Sequence, residues 1–546
     1  MPTLNWIGKD KVVSHHQDVP YRVLEHKYGF TADKGEQTEP TNSGNKIIHG
    51  DNLEALKSLL PEYEGKINCI YIDPPYNTGN ENWVYNDNVN HPKIKKWIGE
   101  VVGSESEDLS RHDKWLCMMY PRLKLLHKLL ADDGVIFISI DDFEQTNLKL
   151  LLNEIFGIKN FVTNFIWERK KKPAFLSKQV GSITEYVVCF AKNYNSLGAF
   201  SSSKFKTTKG KKYPFNNAGN GIKTLSFPKG TVKFGYKNKI IKAQDMSGGN
   251  IITKLLNDVI IKDGFNDNEF QLEGEWRYSQ TKLDEIIENQ EEIVISKVPF
   301  RPNHIKTGGE EKKIHNFLSY RTYEIETNED ASAELTNIFN SKKFDFPKPK
   351  NLIEFLVEAS VSSNSIILDS FAGSGTTAHA VLNLNKQDGG NRKFILVEME
   401  DYANDITAER IKRVTKGYGS GAKLVKGTGG AFDFYELGLP LFDENQNLNE
   451  QVGLAKIREY IWFSETRTSF SEPNKEPYFL GKKDESAYYF IYEKDRLTTL
   501  DFDALELIKT KGEQYVIYAD NCLLPKDFMA KKNIIFKKIP RDITKF

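Results

Sequence analysis

The 546-residue chain has only four cysteines, Cys69, Cys117, Cys189 and Cys522, far apart and without a CxxC pair. That spacing excludes a disulfide framework and a cysteine-based zinc site, and it suits a reducing compartment. No run approaches the roughly 18 apolar residues of a membrane span, and residues 1–6 lack the charged-then-apolar pattern of a secretory leader. A soluble, cytoplasmic protein with no membrane association is therefore expected. Net charge is also missing: 75 Lys and Arg face 75 Asp and Glu, so affinity for nucleic acid requires an uneven charge distribution. The chain has no GxxxxGK[ST] loop for ATP. Glu310-Glu311-Lys312 lacks the upstream Pro-Asp of a nuclease centre. His15-His16 reads as a surface pair, and no metal site is expected.

What the chain does have is Asp73-Pro74-Pro75-Tyr76-Asn77-Thr78-Gly79 directly after the apolar, β-branched run 67–72. The run reads as a buried strand. Two prolines offer no N–H to a neighbouring strand, so the backbone leaves the sheet there with its carbonyls unpaired. An acid, a fixed carbonyl and an aromatic ring within four residues suit the capture of a planar base that carries an amino group. A proline-rich turn with no ligand is the alternative.

Length alone suggests about two to four domains. Residues 1–45 read as a loop-like N-terminal arm. Residues 46–51 form a strand, and Leu53, Leu56, Leu59 and Leu60 recur at helical spacing after a cap at Asp51 or Asn52. This β-α-β order predicts a parallel sheet with ligands at the carboxyl ends of its strands. Residues 80–110 are polar and read as a loop with a short helix near 94–101. An amphipathic helix is expected over 115–130, a buried strand over 134–142, a helix over 143–156, and a last pair of strands at 161–167 and 185–191. A helix over 351–360, strands at 365–369 and 391–397 and a helix over 403–414 complete the core. The stretch 436–546 is a small α/β appendage without a catalytic motif.

From 160 to 242 there are seventeen Lys or Arg and two acids, a net of +15. Lys204, Lys206, Lys209, Lys211, Lys212, Lys233 and Lys237 alternate with Phe205, Tyr213, Phe215, Phe227, Phe234 and Tyr236. Lysines neutralise phosphates and aromatics reach bases, so a DNA surface is expected; a solvated lysine-rich face is the alternative.

A second glycine-rich motif, Phe371-Ala372-Gly373-Ser374-Gly375-Thr376-Thr377-Ala378, follows the strand that ends at Asp369, and Glu398 ends the next one. Alone it fits a loose dinucleotide fingerprint, which keeps an oxidoreductase open. A hydride-transfer enzyme has no evident use for Asp-Pro-Pro-Tyr, whereas a methyl donor and an amine acceptor need both sites on one sheet.

With both motifs in this order, separated by a variable region and Lys348-Pro349, the chain resembles the β-class amino-methyltransferases of DNA. His49-Gly50-Asp51-Asn52-Leu53-Glu54, Lys114-Trp115-Leu116 and Ile138-Ser139-Ile140-Asp141-Asp142 are similar to the modification subunits of type III restriction-modification systems. The resemblance implies an α/β fold: a Rossmann-like, S-adenosylmethionine-dependent methyltransferase core with a mixed, mainly parallel, circularly permuted sheet. The implied organisation is arm 1–45, catalytic half 46–199, target-recognition domain 200–330, cofactor-binding half 331–435 and a C-terminal dimerisation or partner domain 436–546. It implies a site-specific adenine DNA methyltransferase that methylates N6 of a flipped adenine in double-stranded DNA. A homodimer and a helicase-nuclease restriction subunit are the implied partners.

By that resemblance Asp73 and the Pro74 carbonyl receive the amine, with Pro75 and Tyr76 completing the catalytic motif, and Tyr76 stacks on the base. Asp369, Phe371, Ala372, Gly373, Ser374 and Gly375 line the cofactor, Glu398 holds its ribose, Lys348 and Thr376 lie near its methionine end, Asp51 reaches its adenine, and Asp73 also borders it. No cysteine follows a proline, which argues against a C5-cytosine enzyme, and N4-cytosine enzymes more often have Ser where Asp73 stands. The remaining alternatives are a stand-alone methyltransferase and a recognition subunit whose main role is to direct a nuclease.

Overall fold

Eleven strands make the main sheet of the protein, here a computed structural model that describes residues 4–77, 111–172, 179–206, 210–306, 311–473 and 476–545. They are β1 (Arg22–Thr31), β2 (Gly35–Gln37), β3 (Lys46–His49), β4 (Ile67–Ile72), β5 (Leu130–Ile140), β6 (Phe161–Glu168), β7 (Thr184–Ala191), β8 (Phe317–Leu318), β9 (Ile366–Asp369), β10 (Lys393–Glu398) and β11 (Ala431–Pro440). Their order across the sheet is β2-β1-β11-β3-β10-β9-β4-β5-β7-β6-β8. The six strands from β11 to β5 are parallel. β7 runs antiparallel to both β5 and β6, as expected of the strand pair after residue 160.

β4 is hydrogen-bonded to β9, with Cys69 opposite Ile367 and Ile70 opposite Leu368. Strands distant in sequence are thereby neighbours, and the two motifs leave the sheet side by side at its carboxyl edge. The β-α-β unit that opens the core is parallel, but β3 and β4 do not touch, because β10 and β9 are inserted between them.

The helix Asn52–Tyr63 buries Leu53, Leu56, Leu59 and Leu60. The Asp51 side chain caps it, accepting from the Leu53 and Glu54 amides at 2.9 and 3.1 Å. The helix Arg111–Leu129 buries Leu116, Met119, Leu123 and Leu126 and runs straight into β5. Its Arg122 is also buried, because Nε donates to Asn52 Oδ1 at 2.6 Å and Nη1 to the Met118 carbonyl at 2.8 Å. A charge bonded in this way tolerates burial.

Four expectations need correction. The arm is not loop-like: β1 and β2 extend the main sheet through antiparallel pairing of β1 with β11. Residues 315–330 belong to the core unit, since β8 pairs with β6, and β11 crosses position 436. His16 is buried and not at the surface; the short turn His15–Asp18 packs on the helix Arg111–Leu129, and burial lowers its imidazole to about 4. Phe215, Phe227 and Phe234 do not face bases. They are buried in their own unit's core, where Phe227 stacks on Phe270 at 5.1 Å.

That unit, Phe200–Ile314, is the second of two compact parts of the chain. It contains a four-stranded and a seven-stranded sheet and the helix Gln280–Glu288. The first unit comprises Met1–Ala199 and His315–Phe546. Its C-terminal helix Leu454–Thr466 carries Tyr460 and Ile461 into the same hydrophobic cluster as Ile70 and Leu123. The last stretch thus shares the core of the main sheet while keeping a small sheet and cluster of its own around Tyr489 and Ile517. Among the described residues no helix is long and apolar enough to cross a membrane. The loop expected at 80–110 lies outside the described residues, as do Thr78, Gly79 and Lys209.

Candidate active site

Asp73 is the first residue past β4, and its carboxylate is buried. Lys348, 275 positions away, donates to both oxygens at 2.8 and 2.7 Å and is itself buried. The same ammonium sits 4.8 Å from the centroid of the Tyr76 ring. Acid, cation and aromatic ring therefore form one cluster from two halves of the chain.

The proline pair behaves differently from a bare acceptor surface. The Trp115 indole donates to the Pro75 carbonyl at 2.6 Å, so that carbonyl is not unpaired. The Pro74 carbonyl is left as the motif's candidate acceptor for an amine. Beyond the prolines the chain turns on Asn77, which holds a left-handed φ of 61°. Asparagine tolerates that conformation, and its amide donates to the buried Glu144, which also accepts from Asn147 at 2.9 Å and bonds His112 at 2.6 Å. The Tyr76 hydroxyl donates to Glu185 Oε2 at 3.2 Å, and Arg169 pairs with the other oxygen of that carboxylate at 3.2 Å. Burial pushes the Glu185 carboxyl up.

The glycine motif follows β9. The Phe371 amide and the Thr377 hydroxyl donate to Asp369 at 3.0 and 2.6 Å, fixing its carboxylate at the strand end. Gly373 and Gly375 have φ of 52° and 79°, and a Cβ on Gly375 would come within 3.0 Å of the Thr407 carbonyl. Both a left-handed backbone and a close approach require glycine there. Glu398 at the end of β10 accepts from the Gly373 and Glu400 amides at 2.7 and 3.0 Å, one on each oxygen. Lone pairs remain on each oxygen for vicinal hydroxyls. Burial raises Asp369 to about 7 and Glu398 to about 8.

An open cleft joins the motifs and is lined by Asp73, Lys348, Asp369, Phe371, Ala372, Ser374 and Thr376 of the sequence-predicted set. The Gly375 amide donates to the carbonyl of Ala372 in that lining at 2.8 Å, and Glu398 accepts from the amide of Gly373, the residue between Ala372 and Ser374. The Ser370 hydroxyl is buried without a hydrogen-bond partner. A bent glycine backbone, a ribose-type acid and aromatic walls fit an adenosyl group with an amino-acid tail. Asp51 is not among the residues that line this cleft; its carboxylate caps a helix and lies 3.8 Å from Arg122.

Sequence reasoning missed Arg410. Its buried guanidinium donates to Ser374 Oγ at 3.0 Å and to Thr376 Oγ1 at 2.7 Å and lies 3.2 Å from His379 Nδ1, bracing the glycine turn from below. Nothing in a lysine- and arginine-rich helix singles it out. Glu185 did leave a signal, as one of only two acids in the basic stretch.

The buried acids make stability depend on pH. Glu398 keeps its proton up to about pH 8 in the folded chain and releases it near 4.5 when unfolded. Between these values the folded state binds more protons, so stability falls as pH rises and the loss is complete above the upper value. Asp369 acts with the same sign up to about 7. Glu398→Gln is expected to flatten the decline of the thermal midpoint between pH 5 and 9; an unchanged slope contradicts this assignment.

The family model described as DNA methylase matches residues 67–409. The Mod subunit of the type III restriction-modification enzyme StyLTI of Salmonella typhimurium is 32% identical over 75% of this chain and 62% of its own length. The EcoPI Mod subunit of Escherichia phage P1 is 32% identical over 76% of this chain and 68% of its own. The type II methyltransferase M.KpnI of Klebsiella pneumoniae is 30% identical, with 68% of this chain and 84% of that protein covered. The chain thus spans about two thirds of the length of the type III relatives it matches.

Proposed function

The chain belongs to the DNA methylase family, and from that premise we propose that it transfers a methyl group from S-adenosylmethionine to N6 of adenine in double-stranded DNA, as the modification and recognition subunit of a type III restriction-modification system. The observation that carries the reading is the pairing of β4 with β9, which sets Asp73 and the glycine motif beside one cleft. The family implies a cytoplasmic protein at work on the nucleoid, a homodimer, and a helicase-nuclease restriction subunit as partner.

The cofactor supplies an electrophilic methyl group; the protein's task is to present a nitrogen lone pair to it. Asp73 and the Pro74 carbonyl accept the two N–H bonds of the amine, which frees that lone pair. Tyr76, held by Glu185, supplies the face against which an extruded base stacks. Glu398 accepts from ribose hydroxyls, and Phe371 through Gly375 give the backbone its close approach. No covalent nucleophile is needed, and the rate rests on positioning and electrostatics. Mapping modified adenines in the DNA of cells that express the chain tests this: a single methylated sequence is expected, and unmodified adenines or modified cytosines overturn it.

Glu185 is a positioning residue here. Glu185→Gln keeps a hydrogen-bond acceptor for Tyr76 and removes the ion pair with Arg169. It is expected to lower the turnover rate about tenfold with little change in cofactor affinity, as for a misplaced binding group; single-turnover kinetics and calorimetry measure the two.

The unit Phe200–Ile314 is proposed to choose the target. Twenty Lys and Arg against fourteen acids give it a net charge of +6. Lys229, Lys233, Lys242 and Lys254 are paired with acids of the same unit. Lys211, Lys212 and Lys237 are exposed and are the stronger candidates for phosphates. Replacing these three with alanine is expected to weaken binding on all sequences and to lower the salt slope by about one for each phosphate no longer neutralised. An unchanged slope reassigns them to a solvated face.

Similarity to the type II methyltransferase M.KpnI across most of that protein favours a second reading, a stand-alone methyltransferase. A helicase-nuclease reading frame beside the gene, and its product co-purifying with the chain, distinguish the two.

A further inference from the structure

A target amine and Lys348 compete for the same groups. Adenine would bring N–H donors to Asp73 and a ring face to Tyr76, and Lys348 already brings N–H donors to both Asp73 oxygens and its positive charge to the Tyr76 ring. An ammonium 4.8 Å from the ring centroid overlaps the layer in which a stacked base must lie. Lys348 stands between Pro347 and Pro349, which restrict its backbone, so it vacates the subsite by moving its side chain.

Its side chain is only 7% exposed, so the ammonium needs another anion when it leaves Asp73. Among the described residues the neighbouring carboxylates are engaged: Glu185 by Arg169 and Tyr76, Asp369 by Thr377 and the Phe371 amide, and Glu398 by two backbone amides. A carboxylate on a ligand in the adjoining cleft is a counter-ion of suitable chemistry that carries no such bonds. We infer that Lys348 occupies the amine subsite until the amino-acid end of the cofactor draws it away, so that base capture is conditional on cofactor. Lys348 is thus a specificity-determining residue, which keeps Asp73 from holding an amine when no methyl donor is present. This inference rests on the proposed function, because it needs the cleft to take that cofactor and an adenine.

The test uses the full chain and a duplex that keeps the mapped target adenine and carries 2-aminopurine as its neighbour, whose fluorescence rises when the adenine leaves the stack. Sinefungin, which has the amino-acid carboxylate, is expected to raise the signal severalfold in the unaltered protein. Methylthioadenosine, which lacks it, is expected to leave the signal within twofold of protein alone at concentrations where calorimetry shows its site filled. Lys348→Met is expected to give the high signal with no cofactor. An equal rise with methylthioadenosine, or a Lys348→Met protein that still needs sinefungin, overturns the inference; the arm on the unaltered protein decides it if the variant does not fold. A chain that methylates no adenine in cells removes the proposed function, and the inference with it; a chain that methylates adenine but fails the fluorescence test loses the inference alone.

Discussion

Asp73→Ala is expected to lower methyl transfer by about a hundred- to a thousandfold, the scale on which removal of a single preorganised polar group acts at other active sites, while cofactor still binds. The alanine removes an acceptor for the amine. It also leaves the Lys348 ammonium buried without its counter-ion, and breaking such a pair costs about 3–5 kcal/mol. Loss of activity alone would therefore not separate a catalytic role from a structural one. Asp73→Ala with Lys348→Met separates them. Exchanging both partners of a buried pair for apolar groups is often neutral in stability, so the double variant should recover most of the lost thermal midpoint and none of the activity. Calorimetric melting and transfer of labelled methyl groups to DNA read the two effects. Activity returning with stability would assign Asp73 a purely structural role.

The ease of reading this site from sequence had a physical basis. Asp73-Pro74-Pro75-Tyr76 and the glycine motif are each contiguous, and each follows a β-branched strand whose end is marked by a residue type that cannot continue it. Lys348 was reached only through the family resemblance, which set it near the methionine end of the cofactor and not on Asp73. Arg410, Glu144 and Arg169 were not, since their roles arise when distant segments meet. The aromatic residues of the basic stretch misled for a related reason. Antiparallel strands send alternate residues to opposite faces, so Phe227 and Phe234 fill a core while lysines beside them reach solvent. Composition alone does not distinguish the two faces. The arm was misjudged because β1 finds its partner in β11, some four hundred positions later, and a strand with mixed polarity carries little signal of its own.

Arg410→Ala should be among the most damaging changes outside the catalytic motif. The guanidinium is 1% exposed, and although burial lowers it to about 10 it stays charged at neutral pH. Removing it strips donors from Ser374 and Thr376 and opens a void beneath the turn that Gly373 and Gly375 form. Unsatisfied buried acceptors cost about 1–3 kcal/mol, and a large-to-small change in a packed interior adds a cavity term, so a loss of about 3–5 kcal/mol is expected. Arg413, three residues on, is a contrast within the same helix: its pair with Glu409 is more than a third exposed on the arginine side, and Arg413→Ala should cost about 1 kcal/mol or less. Because the chain has two compact units, the measurement is the calorimetric transition of the unit that contains the main sheet, not a single midpoint for the whole protein. Cofactor affinity in Arg410→Ala should fall with that transition. Normal affinity in a destabilised variant would mean that the glycine turn keeps its shape without the arginine, and that the strand ends and Glu398 suffice to hold it.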